Sequence, residues 1–287
     1  MKQTPGVVFL HLLLLAGCSR QEAPAGTGQL PPTWREPATG MNFVLIPAGT
    51  FTMGSDPREP GRQTDEVPHE VTVSRPFYLG RFEVTQGEWT RLMRQNPSQF
   101  PGCGPRCPVD TVTYEDVQAF IQRLIVAAHG GHFRLPSEAE WEYACHAGTH
   151  GPFSTGSTLT AAQANFDGRY PLPGTPPGRY LGRPAPVGSY PPNPWGLYDM
   201  HGNLWEWTED WYADYPPGPA TDPRGPGRGE ARRVWDARGG DWGYKRVIRG
   251  GSWYFNTGSC RCALRYTHAP RDRGWSLGFR LVRDAER

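Results

Sequence analysis

The chain has 287 residues, a net charge of +2 from 30 basic and 28 acidic side chains, and 36 Gly with 31 Pro. Nearly one residue in four therefore weakens regular backbone, which excludes a helix bundle or coiled coil, and a near-neutral balance without a basic stripe excludes electrostatic capture of nucleic acid. The mean hydropathy of −0.61 leans towards disorder, but 11 Trp, 12 Tyr and 12 Phe are what disordered segments lack, so a loop-rich fold anchored by aromatics is expected.

Near the N-terminus Lys2 precedes an apolar run over residues 7–15 that is too short to span a bilayer and reads as a signal peptide. Its end, Leu15-Ala16-Gly17-Cys18-Ser19, resembles a bacterial lipobox. Residues 1–17 are then removed, Cys18 is lipidated, and Ser19 directs the product to the outer membrane of a Gram-negative host, facing the periplasm or the cell surface. Residues 18–40, rich in Pro, Gly and Ala, read as a flexible tether, and a single domain is expected over 41–287.

Within the domain, short strands are predicted at 43–46, 70–73, 77–79, 246–249 and 277–282. Three helices have a capping box each: Thr85-x-x-Glu88, Thr113-x-x-Asp116 (with Gly130-Gly131 as the stop) and Ser137-x-x-Glu140. Gly-Pro-rich loops recur at 54–68, 148–160, 168–195 and 215–245. The fold class is α+β with little regular structure.

If Cys18 carries lipid, Cys103, Cys107, Cys145, Cys260 and Cys262 remain, so two disulfides leave one thiol in an oxidising compartment. Cys103-Gly104-Pro105-Arg106-Cys107 is a turn whose ends suit a disulfide, the alternative being a metal site that needs further ligands. His146 and His150 have Gly148 between them beyond a helix end and form no metal pair, and His69, His129, His132, His201 and His268 form no cluster with ligand spacing. Glu206, Glu209, Asp210 and Asp214 are dense carboxylates without an accompanying acid-base partner. Trp205, Trp207, Trp211, Trp253 and Trp275 read as core filling rather than a ligand platform.

Six ordered segments carry a resemblance. Phe82-Glu83-Val84-Thr85-Gln86, Asn96-Pro97-Ser98, Arg134-Leu135-Pro136-Ser137-Glu138-Ala139-Glu140-Trp141-Glu142-Tyr143-Ala144, Gly196-Leu197-Tyr198-Asp199-Met200-His201-Gly202-Asn203-Leu204-Trp205-Glu206-Trp207, Arg249-Gly250-Gly251-Ser252-Trp253 and Gly278-Phe279-Arg280 resemble the formylglycine-generating enzymes, or sulfatase-modifying factors. The resemblance spans 41–283. It implies a variant of the C-type-lectin-like fold, stabilised by calcium, and a copper-dependent oxidation of a substrate cysteine to formylglycine. It does not by itself imply that this chain performs the reaction.

Two cysteines hold Cu(I) in the family, the first three residues after the Ser of Gly-Gly-Ser and the second five further on. Here those positions are Phe255 and Cys260, so the copper pair is incomplete. Counting back five from Cys262, which precedes Ala263-Leu264-Arg265, reaches Thr257 instead. Cys260 is either a surviving half of the pair or a core residue. The resemblance also implies a Cys145–Cys262 bridge, with Cys145–Cys260 as the exchange.

For calcium, the resemblance implies Asp199 and Glu206 with the carbonyls of Gly202 and Leu204 as ligands. Asn165 fits the start of a second site, whose Asp partner has no counterpart around Arg179. Two functions follow. One is a calcium-stabilised binding or maturation module for a protein or peptide partner in the cell envelope, anchored to the membrane by lipid. The other is an oxidoreductase acting on a protein or peptide, by formylglycine formation or another oxidation in the same groove. The absent thiol at Phe255 favours the first.

Overall fold

The computed structural model describes Met1, residues 30–235 and residues 241–285. The expected signal segment, Cys18 and the tether as far as residue 29 lie outside the described residues.

The three capping boxes each open a helix: α1 Gln86–Met93, α2 Tyr114–Ala127 and α3 Glu138–His146. In every case the cap hydroxyl of Thr85, Thr113 or Ser137 accepts from the amide three residues on. The carboxylate of Glu88, Asp116 or Glu140 accepts in return from the cap amide. Two of the orphan amides of each first turn are thereby satisfied. Val117, Phe120, Ile121 and Leu124 form the buried stripe of α2, and its end is closed by His129 in left-handed backbone at φ 56°, with the His129 and Gly130 amides on the Val126 and Ile125 carbonyls, just before the Gly130-Gly131 stop.

The strands are short. The first six are β1 Thr33–Arg35, β2 Asn42–Ile46, β3 Gly49–Met53, β4 His69–Val73, β5 Phe77–Gly80 and β6 Phe133–Arg134. The rest are β7 Trp205–Trp211, β8 Ala220–Thr221, β9 Arg233–Trp235, β10 Asp241–Tyr244, β11 Arg246–Arg249, β12 Tyr266–His268, β13 Leu277–Gly278 and β14 Val282–Asp284. One sheet runs β1-β2-β5-β14-β6, a second β12-β11-β7-β13, a third β3-β4-β8, and β9 pairs with β10. The main core lies where α1 and α2 meet Trp205, Trp207 and Phe279, and a second core surrounds α3 with Trp141, Ala144 and the Cys145–Cys262 bridge.

Three expectations are corrected. Residues 33–40, assigned to the tether, belong to the domain: β1 pairs with β2, Trp34 lies 5.4 Å from Phe43 and 6.0 Å from Phe133, and Glu36 is fully buried. The isolated Trp34 carries this attachment, which a search for apolar periodicity misses. The strand predicted over 277–282 is two strands in different sheets, because Phe279-Arg280-Leu281 crosses from β7 to β5. There Val84 and Gly80 donate their amides to Phe279 and Leu281. The 215–245 loop also contains β8, β9 and β10.

Candidate functional site

The Gly250–Phe255 turn sits at the end of β11. Gly250 and Gly251 have φ of 98° and 76°, and a Cβ on Gly251 would lie 2.6 Å from the Cys260 sulfur, so only glycine allows this approach. Cys260 is fully buried among Phe153, Leu159, Ala164 and Phe166. Burial pushes its thiol far above the ordinary cysteine range, which keeps it protonated, whereas a copper ligand must be a thiolate. The partner position is the half-buried Phe255 ring, 5.3 Å from Trp205 and 6.0 Å from Tyr266. These residues do not fit copper. Without a second thiolate at Phe255, Cys260 packs here as a small buried hydrophobe.

What the turn builds instead is an aromatic surface. Trp253 has edge contacts to Phe100 at 5.4 Å and Trp275 at 5.0 Å, and it stacks with Tyr180 at 6.3 Å. Tyr254 bridges Trp275 to Phe255, and Trp205 stacks on Tyr266 at 5.2 Å. Trp205 and Trp253 are core residues, but Tyr254, Tyr266 and Trp275 keep 51%, 47% and 41% of their surface exposed. Through Phe255 and Trp205 they form one exposed aromatic patch. Both buried indole N–H groups, of Trp205 and Trp253, lack an acceptor among the described residues. Trp275 is thus a surface residue rather than core filling, and Tyr254 and Tyr266 were missed, although the Ser252-Trp253-Tyr254-Phe255 run was the available signal.

Behind this surface lies a buried acidic cluster. Glu206 receives two bonds from the Arg280 guanidinium at 2.7 Å and one from the Trp141 indole at 2.7 Å. Glu83 accepts from the Asn203 side chain and the Leu204 amide, and Asp199 accepts from the Gly188 amide. Asp199, Gly202 and Asn203 all hold left-handed backbone, φ 57°, 85° and 62°, a conformation that Asp, Asn and Gly tolerate best. Burial, reinforced by Asp199 and Glu206, holds Glu83 well above the carboxylate range, and burial pushes Asp199 up to about 6. Three carboxylates thus share the Arg280 cation.

That charge deficit and the free second oxygen of Asp199 suit a divalent ion held by Asp199, Glu206 and the carbonyls of Gly202 and Leu204. On Glu206 only Oε1, with its single bond to Arg280, has a lone pair to offer. Asn165 is buried with its Oδ1 unpartnered, and its Nδ2 donates to the Arg183 carbonyl and to Asn203. No acidic partner joins it among the described residues around Arg179.

Cys103 is bonded to Cys107 and Cys145 to Cys262. The Cys145 and Cys262 sulfurs and His201 form the one group of three metal-ligand types within 4.8 Å among the described residues, but the disulfide consumes both sulfurs. His201 donates from Nδ1 to the Cys260 carbonyl at 2.9 Å and accepts at Nε2 from the Ser154 amide and hydroxyl. Burial lowers its pKa to about 4, so it is a neutral structural strut. His146 and His150 line the wall of another cavity without joining a ligand group.

The sulfatase-modifying factor enzyme 1-like domain model matches residues 29–285. The bovine (Bos taurus) formylglycine-generating enzyme is 28% identical over 300 residues, covering 86% of this chain and 76% of its own. Among solved structures, PvdO from Pseudomonas aeruginosa has a TM-score of 0.71 at 31% identity, covering 90% of this chain and all of PvdO. The Treponema denticola variable protein 1 has a TM-score of 0.71 at 25% identity over 89% of this chain and all of its own. The fold is the formylglycine-generating-enzyme variant of the C-type-lectin-like class.

Alkylation tests the reading of Cys260. In the native full chain at pH 8, iodoacetamide should leave Cys260 unmodified for hours. After denaturation without reductant, mass spectrometry should find it labelled while the other four domain cysteines are protected. Rapid native labelling would mean an accessible thiolate.

Proposed function

The chain belongs to the sulfatase-modifying factor enzyme 1-like family, and from that premise we propose that it is a non-catalytic binding or maturation module whose aromatic surface holds an extended segment of a protein or peptide partner. The observation that carries this reading is the pair of positions where the family places copper ligands, filled here by an aromatic ring and a buried neutral thiol. The Gly250–Phe255 turn is set by Gly250, Gly251 and the Phe255 amide on the Ser252 carbonyl, so it does not need redox ligands to hold its shape. Tyr254, Tyr266 and Trp275 supply broad apolar contact with few rotatable bonds, and the Tyr254 and Tyr266 hydroxyls can bond backbone groups of a bound segment.

The domain is held at the cell envelope, facing the periplasm or the cell surface, by lipid on Cys18. Mass spectrometry of the native protein tests this directly, because an unacylated N-terminal segment would remove the anchor. Calcium is its structural ion, held by Asp199, Glu206 and the Gly202 and Leu204 carbonyls. When bound, it neutralises the acidic cluster and takes no part in chemistry.

Two measurements test these statements. In a peptide-array screen with the full chain in detergent, Trp275→Ala with Tyr254→Ala should weaken captured peptides by at least about ten-fold, roughly 1.4 kcal/mol. The same preparation should show no Cu(I)-dependent conversion of a Cys-x-Pro-x-Arg peptide. Turnover abolished by Cys260→Ala would overturn the proposal. For calcium, chelation should lower the melting temperature by about 5 °C, the shift expected from about 2 kcal/mol in a domain of this size. Asp199→Ala should abolish that response, and an unchanged melting temperature on chelation would remove the ion.

A further inference from the structure

A cavity of about 530 Å³ adjoins the aromatic surface, lined by Cys103, Arg179, Arg183, Ser189 and Tyr190 among others. Two chain segments build both features. The segment around residue 100 gives Phe100 to the Trp253 cluster and Gly102-Cys103 to the cavity wall. The segment around residue 180 gives Tyr180 to Trp253, with Arg179, Leu181 and Arg183 lining the cavity. Since neighbouring residues are about 3.8 Å apart along the chain, the cavity lies beside the Trp253 cluster.

Its charge is one-sided. The lining contains two arginines and no Asp or Glu, and neither guanidinium is in an ion pair among the described residues. Of the nearby carboxylates, Asp167 is bonded to Arg169, whose guanidinium lies 4.2 Å over Tyr180, and Asp199 belongs to the buried acidic cluster, with one oxygen on the Gly188 amide. Asn165 holds the Arg183 carbonyl at 3.0 Å, which fixes the backbone that presents this side chain. A planar guanidinium pair with hydroxyls beside it is suited to forked bonds with a carboxylate.

We infer that this cavity is an anion subsite, engaging an acidic side chain of the segment that lies on the aromatic surface. The inference rests on the binding-module reading and sharpens it: the partner pairs an aromatic or apolar residue with a nearby carboxylate. A peptide is favoured over a free anion because the segments around residues 100 and 180 serve both the cavity and the aromatic cluster, which a small ion would not use.

Fluorescence anisotropy on the full chain in detergent tests it, using end-blocked nonapeptides with one tyrosine and, three residues later, glutamate or glutamine. The glutamate peptide should bind at least about ten-fold more tightly, and Arg179→Gln with Arg183→Gln should abolish that preference without weakening the glutamine peptide. High salt should act like the double variant. Both arginines are exposed, so folding is not at stake, and the unchanged glutamine peptide controls for it. Equal affinities unaffected by the double variant would overturn the subsite while Trp275→Ala still weakened both peptides, leaving the groove intact. Failure of both peptides to bind would overturn subsite and groove together. Binding of inorganic phosphate without a glutamate preference, or flotation on phosphatidylglycerol vesicles lost in the double variant, would also overturn it, in favour of a free anion or a lipid headgroup.

Discussion

The buried pair of Glu206 with Arg280 joins parts of the molecule that no continuous sheet connects. Glu206 lies on β7 and Arg280 on the crossover between β13 and β14. The remaining donors of Arg280 reach the Gly80 carbonyl on β5 and the Tyr198 carbonyl in the acidic loop, and Trp141 of α3 completes the Glu206 shell. One guanidinium therefore fixes two sheets, a helix and a loop. Removing one partner of such a pair leaves an uncompensated buried charge, which costs about 3–5 kcal/mol. The same geometry explains why the chain cannot run as one strand over 277–282: the backbone must leave the β7 sheet for Arg280 to reach inwards.

The rest of the domain repeats this solution. Arg249 binds Glu142 and the carbonyls of Cys262, Ala263 and Leu264, beside the Cys145–Cys262 bridge. Arg265 is forked onto Glu138, and Arg261 onto Glu66, with Glu59 and the Gly61 carbonyl as further partners. Arg261 thus pins the loop over residues 55–66 to the chain after Cys260. A fold rich in Gly and Pro has few ladder bonds with which to hold its loops. Arginine suits the substitute role because its five donors lie in a fixed plane and it stays charged when buried.

These interactions determine what the sequence could reveal. The three helices were legible because a capping box is local, with partners three residues apart. Strands β2, β4, β5 and β11 were legible from short β-branched or aromatic runs. Strand β7 was not, since its Trp-Glu-Trp-Thr-Glu-Asp-Trp run buries Glu206, Thr208 and Asp210 against partners far away in sequence, and no single-sequence pattern signals a satisfied buried carboxylate. Trp34 escaped for a related reason, being one aromatic in a stretch of turn-formers. At the Gly250–Phe255 turn, counting from Ser252 led to Phe255 and Cys260. That Cys260 is buried, and that Tyr254, Tyr266 and Trp275 meet on one exposed surface, depends on contacts across β12 and the turn before β13.

The separation between the ion-pair frame and the groove bears on function. Phe255, Tyr254 and Trp275 make ring contacts with one another and with Trp205, Trp253 and Tyr266, while none of them contributes to the Arg280, Arg249 or Arg261 shells. The Phe255 ring therefore adds apolar contact area without drawing on the frame. The turn that positions residue 255 is set by Gly250, Gly251 and the Phe255 amide bonded to the Ser252 carbonyl, and none of these needs a thiolate. The geometry of this turn is thus independent of the chemistry of the side chain at residue 255. This is the physical reason that family membership fixes the fold here while leaving the reaction to be decided by Phe255 and Cys260.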